Sequence, residues 1–229
     1  MLNCARKINP YDVSLNVQQG YGFTKAAITA NYHLMFEKKK KGLDVRFFAG
    51  QFLENGKMKD GNYYFNMSGG TGMHDYLYDY VYLGRSESTG FLSHQFGETE
   101  GAMKVYTPIG RSNTRLASLN LKCSLPGKLP IKLFADFSMI PSAFAVKQTT
   151  LYDAGIYIPL VKDMIEVYFP LLMSKDIVDA FYLNNPDLVP ANKIGYSDPN
   201  PFKRCVRMIR FTFNLHKVNP FELVKNIDL

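Results

Sequence analysis

Apolar and polar residues alternate along most of this chain with a period of two, and this alternation restricts the fold more than any other feature. From Tyr11 to Gln18 the odd positions are apolar and the even positions polar, and similar runs span Thr24 to Phe36 and Leu43 to Ala49. Successive side chains of a strand point to opposite faces, whereas an amphipathic helix needs apolar spacings of three and four. The pattern therefore predicts an all-β chain.

The second half of the chain repeats this design. The residues at 76–82 and Gln95–Tyr106 predict two further strands, and 175–183 has room for one or two helical turns at most. In total we expect nine or ten strands with antiparallel neighbours. The alternating runs of the second half are 117–125, 131–139, 152–160, 165–171 and 209–215.

Alternation defines two faces of a sheet but does not say which face is outside. In a soluble sandwich or barrel the apolar face points inward, around a shared core. In a transmembrane barrel the apolar face contacts lipid and the polar face lines the lumen.

Three features favour an up-and-down transmembrane barrel. The predicted strands, of about 9–13 residues, exceed the usual length of about 5–6 in globular proteins. Short turns such as Glu37–Gly42 contrast with long polar connections at Glu54–Asn62 and Ser174–Arg204, as in outer-membrane barrels. Charged residues also occur in mid-strand, where a dry core would not accept them unpaired. No apolar run reaches the roughly 18–20 residues that a spanning helix requires.

This interpretation assigns a face to each strand residue. The residues predicted to face lipid are Ile28, Phe47, Leu119, Leu121, Ile131, Leu133, Ile156, Val167, Phe169, Phe211 and Phe213. The residues predicted to face the lumen are Arg46, Lys122, Asp136, Glu166 and Arg210.

The sequence contains no recognisable catalytic motif. It lacks a His-Glu-x-x-His zinc site and a Gly-x-Ser-x-Gly elbow, and its Gly-rich segment 68–72 lacks the lysine and helix of a phosphate loop. His74 and Asp79 suggest a rim acid–base pair, but in a strand their side chains point to opposite faces. We therefore predict that the chain is not an enzyme and holds no cofactor or metal, with a rim hydrolase as an alternative.

The net charge raises nucleic acid as a partner. Lysine and arginine number 27 and aspartate and glutamate 20, which gives a formal charge of +7. The basic residues are scattered, and the only run, Lys38–Lys41, falls in a predicted turn without interleaved stacking aromatics. Nucleic acid is therefore not an expected partner.

Several segments resemble a known class of protein. They include Lys41–Gly50, Asp75–Asp79, Glu166–Asp176 and Ile209–Leu215. Together they resemble the C-terminal β-barrel region of large gluzincin, aminopeptidase-N-like metallopeptidases of gram-negative bacteria. In that family the zinc ligands lie in an upstream domain, so no catalytic residue can be assigned here from the resemblance.

The resemblance implies that residues 1–229 form a single barrel domain, the C-terminal part of a longer chain, with a long loop at 174–204 and a tail at 217–229. The barrel would contact outer-membrane lipid and anchor an upstream peptidase domain of the same precursor. The main alternative is a soluble β-barrel that holds an apolar ligand. It predicts the opposite facing, with Lys132 and Glu166 in bulk water.

Overall fold

The structure, a computed structural model, consists mainly of antiparallel β-sheet. It describes residues 2–4, 8–37, 41–54, 63–72, 80–84, 89–125, 130–141, 150–161, 164–190 and 198–214. The strands are β1 (Leu2–Cys4), β2 (Tyr11–Gly20), β3 (Phe23–Glu37), β4 (Lys41–Glu54), β5 (Phe65–Asn66), β6 (Arg111–Ser112), β7 (Arg115–Ser124), β8 (Lys132–Met139), β9 (Thr150–Val161), β10 (Ile165–Met173) and β11 (Arg210–Phe213).

Nine of these strands form one sheet in the order β1-β2-β3-β4-β7-β8-β9-β10-β11, and β5 and β6 form a separate pair. Every strand in the large sheet is antiparallel to its neighbours. The prediction of a mainly antiparallel β fold is therefore confirmed. In the described part of the chain the sheet is open, because the two edge strands β1 and β11 are not paired with each other.

Connectivity places the long connections at one end of the sheet. Because the paired strands are antiparallel and mostly consecutive, the connections after β3, β7 and β9 lie at one end and those after β4, β8 and β10 at the other. The chain between β4 and β7 folds back over one face of the sheet. We call its described residues, 63–72, 80–84 and 89–112, the insert, and the face that it covers the inner face.

The insert differs from the sequence prediction. Gln95–Tyr106 was expected to be a strand, but a 3₁₀ helix at Phe91–His94 precedes it and only isolated bridges follow. Glu100 and Ala102 have φ angles of 50° and 52°, in the left-handed region, so the chain cannot stay extended there. Residues 80–82 form no strand, and the remainder of the expected strand at 76–82 lies outside the described residues.

Two helices occupy the connection expected to be a long loop. They are α1 (Lys175–Asn184) and α2 (Pro201–Arg207), with a 3₁₀ turn at Pro186–Leu188. In α1, Ile177 and Phe181 are four residues apart, so both lie on the side that packs against the core. None of the helices in the described ranges is long and apolar enough to cross a bilayer. The expected tail at 217–229 lies outside the described residues.

The apolar core lies between the inner face and the insert, at the end with the long connections. Phe52 from the end of β4 packs beside Phe65 of the insert, with ring centroids 4.9 Å apart. Leu116 from the start of β7, Leu151 from the start of β9 and Ile177 of α1 belong to the same cluster. Burial of these side chains stabilises this end of the sheet by removing apolar area from water.

Gly50 of β4 provides a test of this packing. A Cβ added there would lie 2.6 Å from Cε1 and Cζ of the Phe65 ring, which is itself buried. We expect Gly50→Ala to lower the free energy of unfolding by about 1–3 kcal/mol through overpacking, measured by urea denaturation. The control is Gln51→Ala, because Gln51 is exposed on the opposite face. Equal stability of the two variants would contradict the placement of the insert.

Candidate functional site

The outer face of the sheet, opposite the insert, is apolar across eight strands. Strand register carries this face continuously from Leu15 opposite Ile28, through Ala30 opposite Phe47, to Phe47 opposite Leu119. It continues from Leu133 opposite Ile156 to Val167 opposite Phe211. Ten residues predicted to face lipid lie on this face, and Ile131 comes just before β8: Ile28, Phe47, Leu119, Leu121, Leu133, Ile156, Val167, Phe169, Phe211 and Phe213.

Several of these outward side chains are exposed. Ile28 is 39% exposed, Phe47 43% and Leu133 42%. Phe211 is the exception at 5%, because the ring of Phe91 stacks on it with centroids 4.9 Å apart. The sequence interpretation missed this because it did not place the Phe91 segment beside β11.

The five residues predicted to face the lumen all lie on the inner face. Arg46 is opposite Asn120, which is in turn opposite Asp136, and Lys122 is opposite Phe134. Glu166 and Arg210 share the inner face at the other side of the sheet, since Arg210 is opposite Tyr168. Arg46, Lys122 and Asp136 contact charged residues of the insert. Glu166 pairs with Lys122, and Arg210 stands apart from these contacts.

The centre of this arrangement is Lys104 of the insert, whose side chain is fully buried against Asp136 of β8. Lys104 Nζ lies 3.3 Å from both carboxylate oxygens of Asp136 and donates to the carbonyl of Ala102 at 2.8 Å. The backbone N–H of Lys104 donates to the same carboxylate at 3.2 Å. Asn120 adds a further bond to Asp136 at 2.9 Å. Charge-assisted bonds of this kind offset the cost of burying both ions.

A second group joins the insert to β7 and β10. Lys122 Nζ lies 2.5 Å from Glu98 Oε1 and 2.9 Å from Glu166 Oε2. Glu98 also lies 3.6 Å from Lys104 Nζ, which links this group to the first. The Tyr168 hydroxyl donates to Glu166. One lysine is thus shared between a carboxylate of the insert and a carboxylate of the sheet.

A third group extends the contacts to β3 and β4. Arg46 Nη1 donates to the carbonyl of Glu100 and to Asn120 Oδ1, each at 2.8 Å. The Glu100 carboxylate accepts from the backbone N–H of Asn66 at 2.6 Å and lies 3.4 Å from Lys25 Nζ. Burial raises the pKa of Glu100, and the Lys25 ammonium opposes that rise.

We call these three groups the buried charge network. It reaches from β3 to β10 and holds the insert against the inner face. Its members are Lys25, Arg46, Glu98, Glu100, Lys104, Asn120, Lys122, Asp136, Glu166 and Tyr168.

The sequence interpretation missed the partners that the insert supplies. Glu98, Glu100 and Lys104 fall in a segment that was predicted to be a strand, and Lys104 is 32 positions from Asp136. A local sequence pattern cannot predict a pairing between two residues that are so far apart along the chain. A mixture of glutamate and lysine in a stretch rich in glycine was the only available signal.

The buried charge network joins the insert to the sheet through paired charges. The described residues contain no group of three or more His, Cys, Asp or Glu that could hold a metal ion. The proposed rim pair, His74 and Asp79, lies outside the described residues. Comparisons with protein-family models, with curated proteins and with solved structures found no match to this chain.

The role of the network in stability can be tested at Asp136. Replacing it by alanine leaves the buried Lys104 ammonium without its main counter-ion, so we expect Asp136→Ala to cost about 3–5 kcal/mol of unfolding free energy. Replacing both partners, with Lys104→Met and Asp136→Leu, should recover part of that loss because neither position then carries an unpaired buried charge.

The matched control is the exposed pair of Arg207 and Asp187, 2.9 Å apart. Asp187→Ala should cost no more than about 1 kcal/mol, because solvent screens that pair. Urea denaturation of the unsubstituted protein, Asp136→Ala, the double variant and Asp187→Ala gives the four free energies of unfolding to compare. If Asp136→Ala cost no more than Asp187→Ala, the network would not be what holds the insert.

Proposed function

We propose that this chain forms part of a transmembrane β-barrel of the outer membrane, with the insert as a plug inside it. The observation that carries the proposal is the facing of the sheet. The charged side chains of the buried charge network lie between the inner face and the insert, where they are paired and largely withdrawn from solvent, while leucine, isoleucine and phenylalanine side chains are exposed on the outer face. Outer-membrane barrels have this arrangement, with an apolar band toward lipid and a polar interior.

The soluble alternative accounts for these contacts less well. It predicts Glu166 in bulk water, whereas the Glu166 side chain is mostly buried and paired with Lys122. It also leaves an apolar face that spans eight strands in water. Monomeric soluble proteins rarely expose contiguous apolar patches larger than a few hundred Å². Lipid on the outer face removes this cost.

The open sheet indicates that the described strands are not the whole barrel. A sheet edge in lipid leaves unpaired backbone groups, so membrane-spanning sheets close on themselves. We therefore propose that the nine strands belong to a larger barrel, closed by strands outside the described residues or by strands of another chain.

The narrower role is that of an anchor for a peptidase. It rests on the resemblance of the segments named above to the barrel region of gluzincin metallopeptidases. In that role the outer-membrane lipid and an upstream peptidase domain of the same precursor are the partners, and this chain contributes no catalytic residue of its own.

Detergent dependence tests the membrane proposal. Because the outer face needs an apolar environment, we expect the purified chain to fold in detergent micelles and to aggregate without them. Circular dichroism and the mobility of boiled and unboiled samples on a gel report folding. A monodisperse folded protein in plain buffer would overturn the proposal and favour the soluble barrel.

The depth of each outward residue gives a sharper test. Phe47 lies near the middle of β4, whereas Leu133 is the second residue of β8. In lipid vesicles we expect Phe47→Arg to cost about 2–4 kcal/mol more than Phe47→Ala, because a charge near the bilayer midplane is expensive. Leu133→Arg should cost about 0–1 kcal/mol beyond Leu133→Ala, because an interfacial charge can reach water. Equal penalties at the two positions would contradict a spanning orientation.

A further inference from the structure

A cavity of about 450 Å³ lies between the insert, the two helices and β11. It is at the end of the sheet that carries the long connections, away from the buried charge network. Its lining includes Arg210 of the inner face, His94 and Tyr106 of the insert, and Phe181 of α1. The volume lies in the range of small-molecule sites, about 300–1,000 Å³.

Arg210 is a charged residue of the inner face that does not belong to the buried charge network. It is 2% exposed, and its guanidinium carbon lies 4.3 Å from the centre of the Phe96 ring. Nη2 donates to the Gly69 carbonyl at 3.2 Å, whereas Nη1 has no hydrogen-bond partner within the described part of the chain. Among the described residues, no carboxylate lies within ion-pair distance of Arg210, and the Asp153 carboxylate attracts it only from farther away. A buried guanidinium in this state is costly until an anion joins it.

The other charged residues of the lining have the same sign. Arg207 lies at the cavity and is paired with Asp187, 2.9 Å away, and none of the described residues that line the cavity is acidic. The carbonyl groups at the end of α1 would repel an anion, but those of Phe181 and Tyr182 already accept bonds from the side chain and backbone of Asn185. The cavity therefore favours a negatively charged ligand.

The rest of the lining is largely apolar. Leu92 and Pro108 of the insert, Phe181 of α1 and Met208 contribute hydrocarbon surface. Inorganic phosphate would leave this surface uncovered, whereas an organic anion with an apolar body would bury it. We propose that the cavity binds a small organic carboxylate with a hydrocarbon or aromatic body. Its carboxylate lies beside the Arg210 guanidinium, and its body lies against Phe181 and Leu92.

The sequence provides a convenient way to measure binding, because the chain contains no tryptophan. Asn184 is exposed and lines the cavity, so Asn184→Trp gives a single fluorescent reporter there. The probes are 4-phenylbutyrate and its uncharged amide, 4-phenylbutanamide. We expect the acid to change the fluorescence with saturation, and the amide to bind at least tenfold more weakly.

A reporter at a distant site controls for partition of the probes into micelles. Gln51 is exposed on the outer face, so the fluorescence of Gln51→Trp should not saturate with the acid. Equal binding of acid and amide at Asn184→Trp would overturn the proposal, as would equal binding of inorganic phosphate and 4-phenylbutyrate. Matching responses at the two tryptophans would overturn it as well.

Substitutions in the Asn184→Trp protein test which positively charged side chain binds the carboxylate of the ligand. Arg210→Gln should weaken the acid at least tenfold and leave the amide unchanged, and Arg210→Lys should retain part of the binding. Arg207→Gln should weaken the acid several-fold, with Arg115→Gln, an exposed residue of β7, as the matched control. If Arg210→Gln does not fold, the proposal is tested by Arg207→Gln and by the difference in affinity between 4-phenylbutyrate and its amide. Unchanged affinity in a folded Arg210→Gln or Arg207→Gln protein would overturn the proposal.

Discussion

The rest of the structure depends on the pairing of Lys104 with Asp136. Neither side chain is accessible to water, and a lone buried charge costs several kcal/mol. Lys104 belongs to the insert and Asp136 to the sheet, so each needs the other element in place. Glu98 and Glu100 then meet Lys122 and Lys25 on either side of this pair. The position of the insert is therefore specified by charge pairing as well as by apolar contact.

The pairing of charges between the insert and the sheet explains why one face of the sheet is polar and the other is apolar. The part of the inner face that is lined with lysine, aspartate and glutamate cannot join the apolar core. It becomes favourable only when a second set of charges covers it, and the insert supplies that set. The apolar side chains of the strands are then left on the opposite face, where Ile28, Phe47 and Leu133 are exposed. A solvent that accepts them completes the arrangement, and lipid is such a solvent.

The sequence was sufficient for the faces of the strands but not for the contacts across them. A period of two fixes which side of a strand each residue occupies, and register places Leu119 on one face of the sheet and Asp136 and Glu166 on the other. The partners of the charges lie far along the chain, in a segment whose left-handed residues Glu100 and Ala102 have no reliable local signature. Helix α1 was underestimated because only Ile177, Val178 and Phe181 contact the core, too few for a clear helical period.

Arg210 follows the same alternation of faces, but its neighbours differ because it lies in the edge strand β11. Parity places it on the inner face, like Arg46 and Lys122, but β11 has only four residues and only one sheet strand beside it. Beyond β11, the insert pairs through the backbone, from the N–H of Phe96 to the carbonyl of Phe211, and presents an aromatic ring to Arg210 instead of a carboxylate. The network pairs the central charges of the sheet, whereas Arg210 at the edge faces a cavity. Arg210 contacts the insert through the Gly69 carbonyl and the Phe96 ring, but its Nη1 has no hydrogen-bond partner among the described residues, and this is the physical reason for assigning it to a ligand.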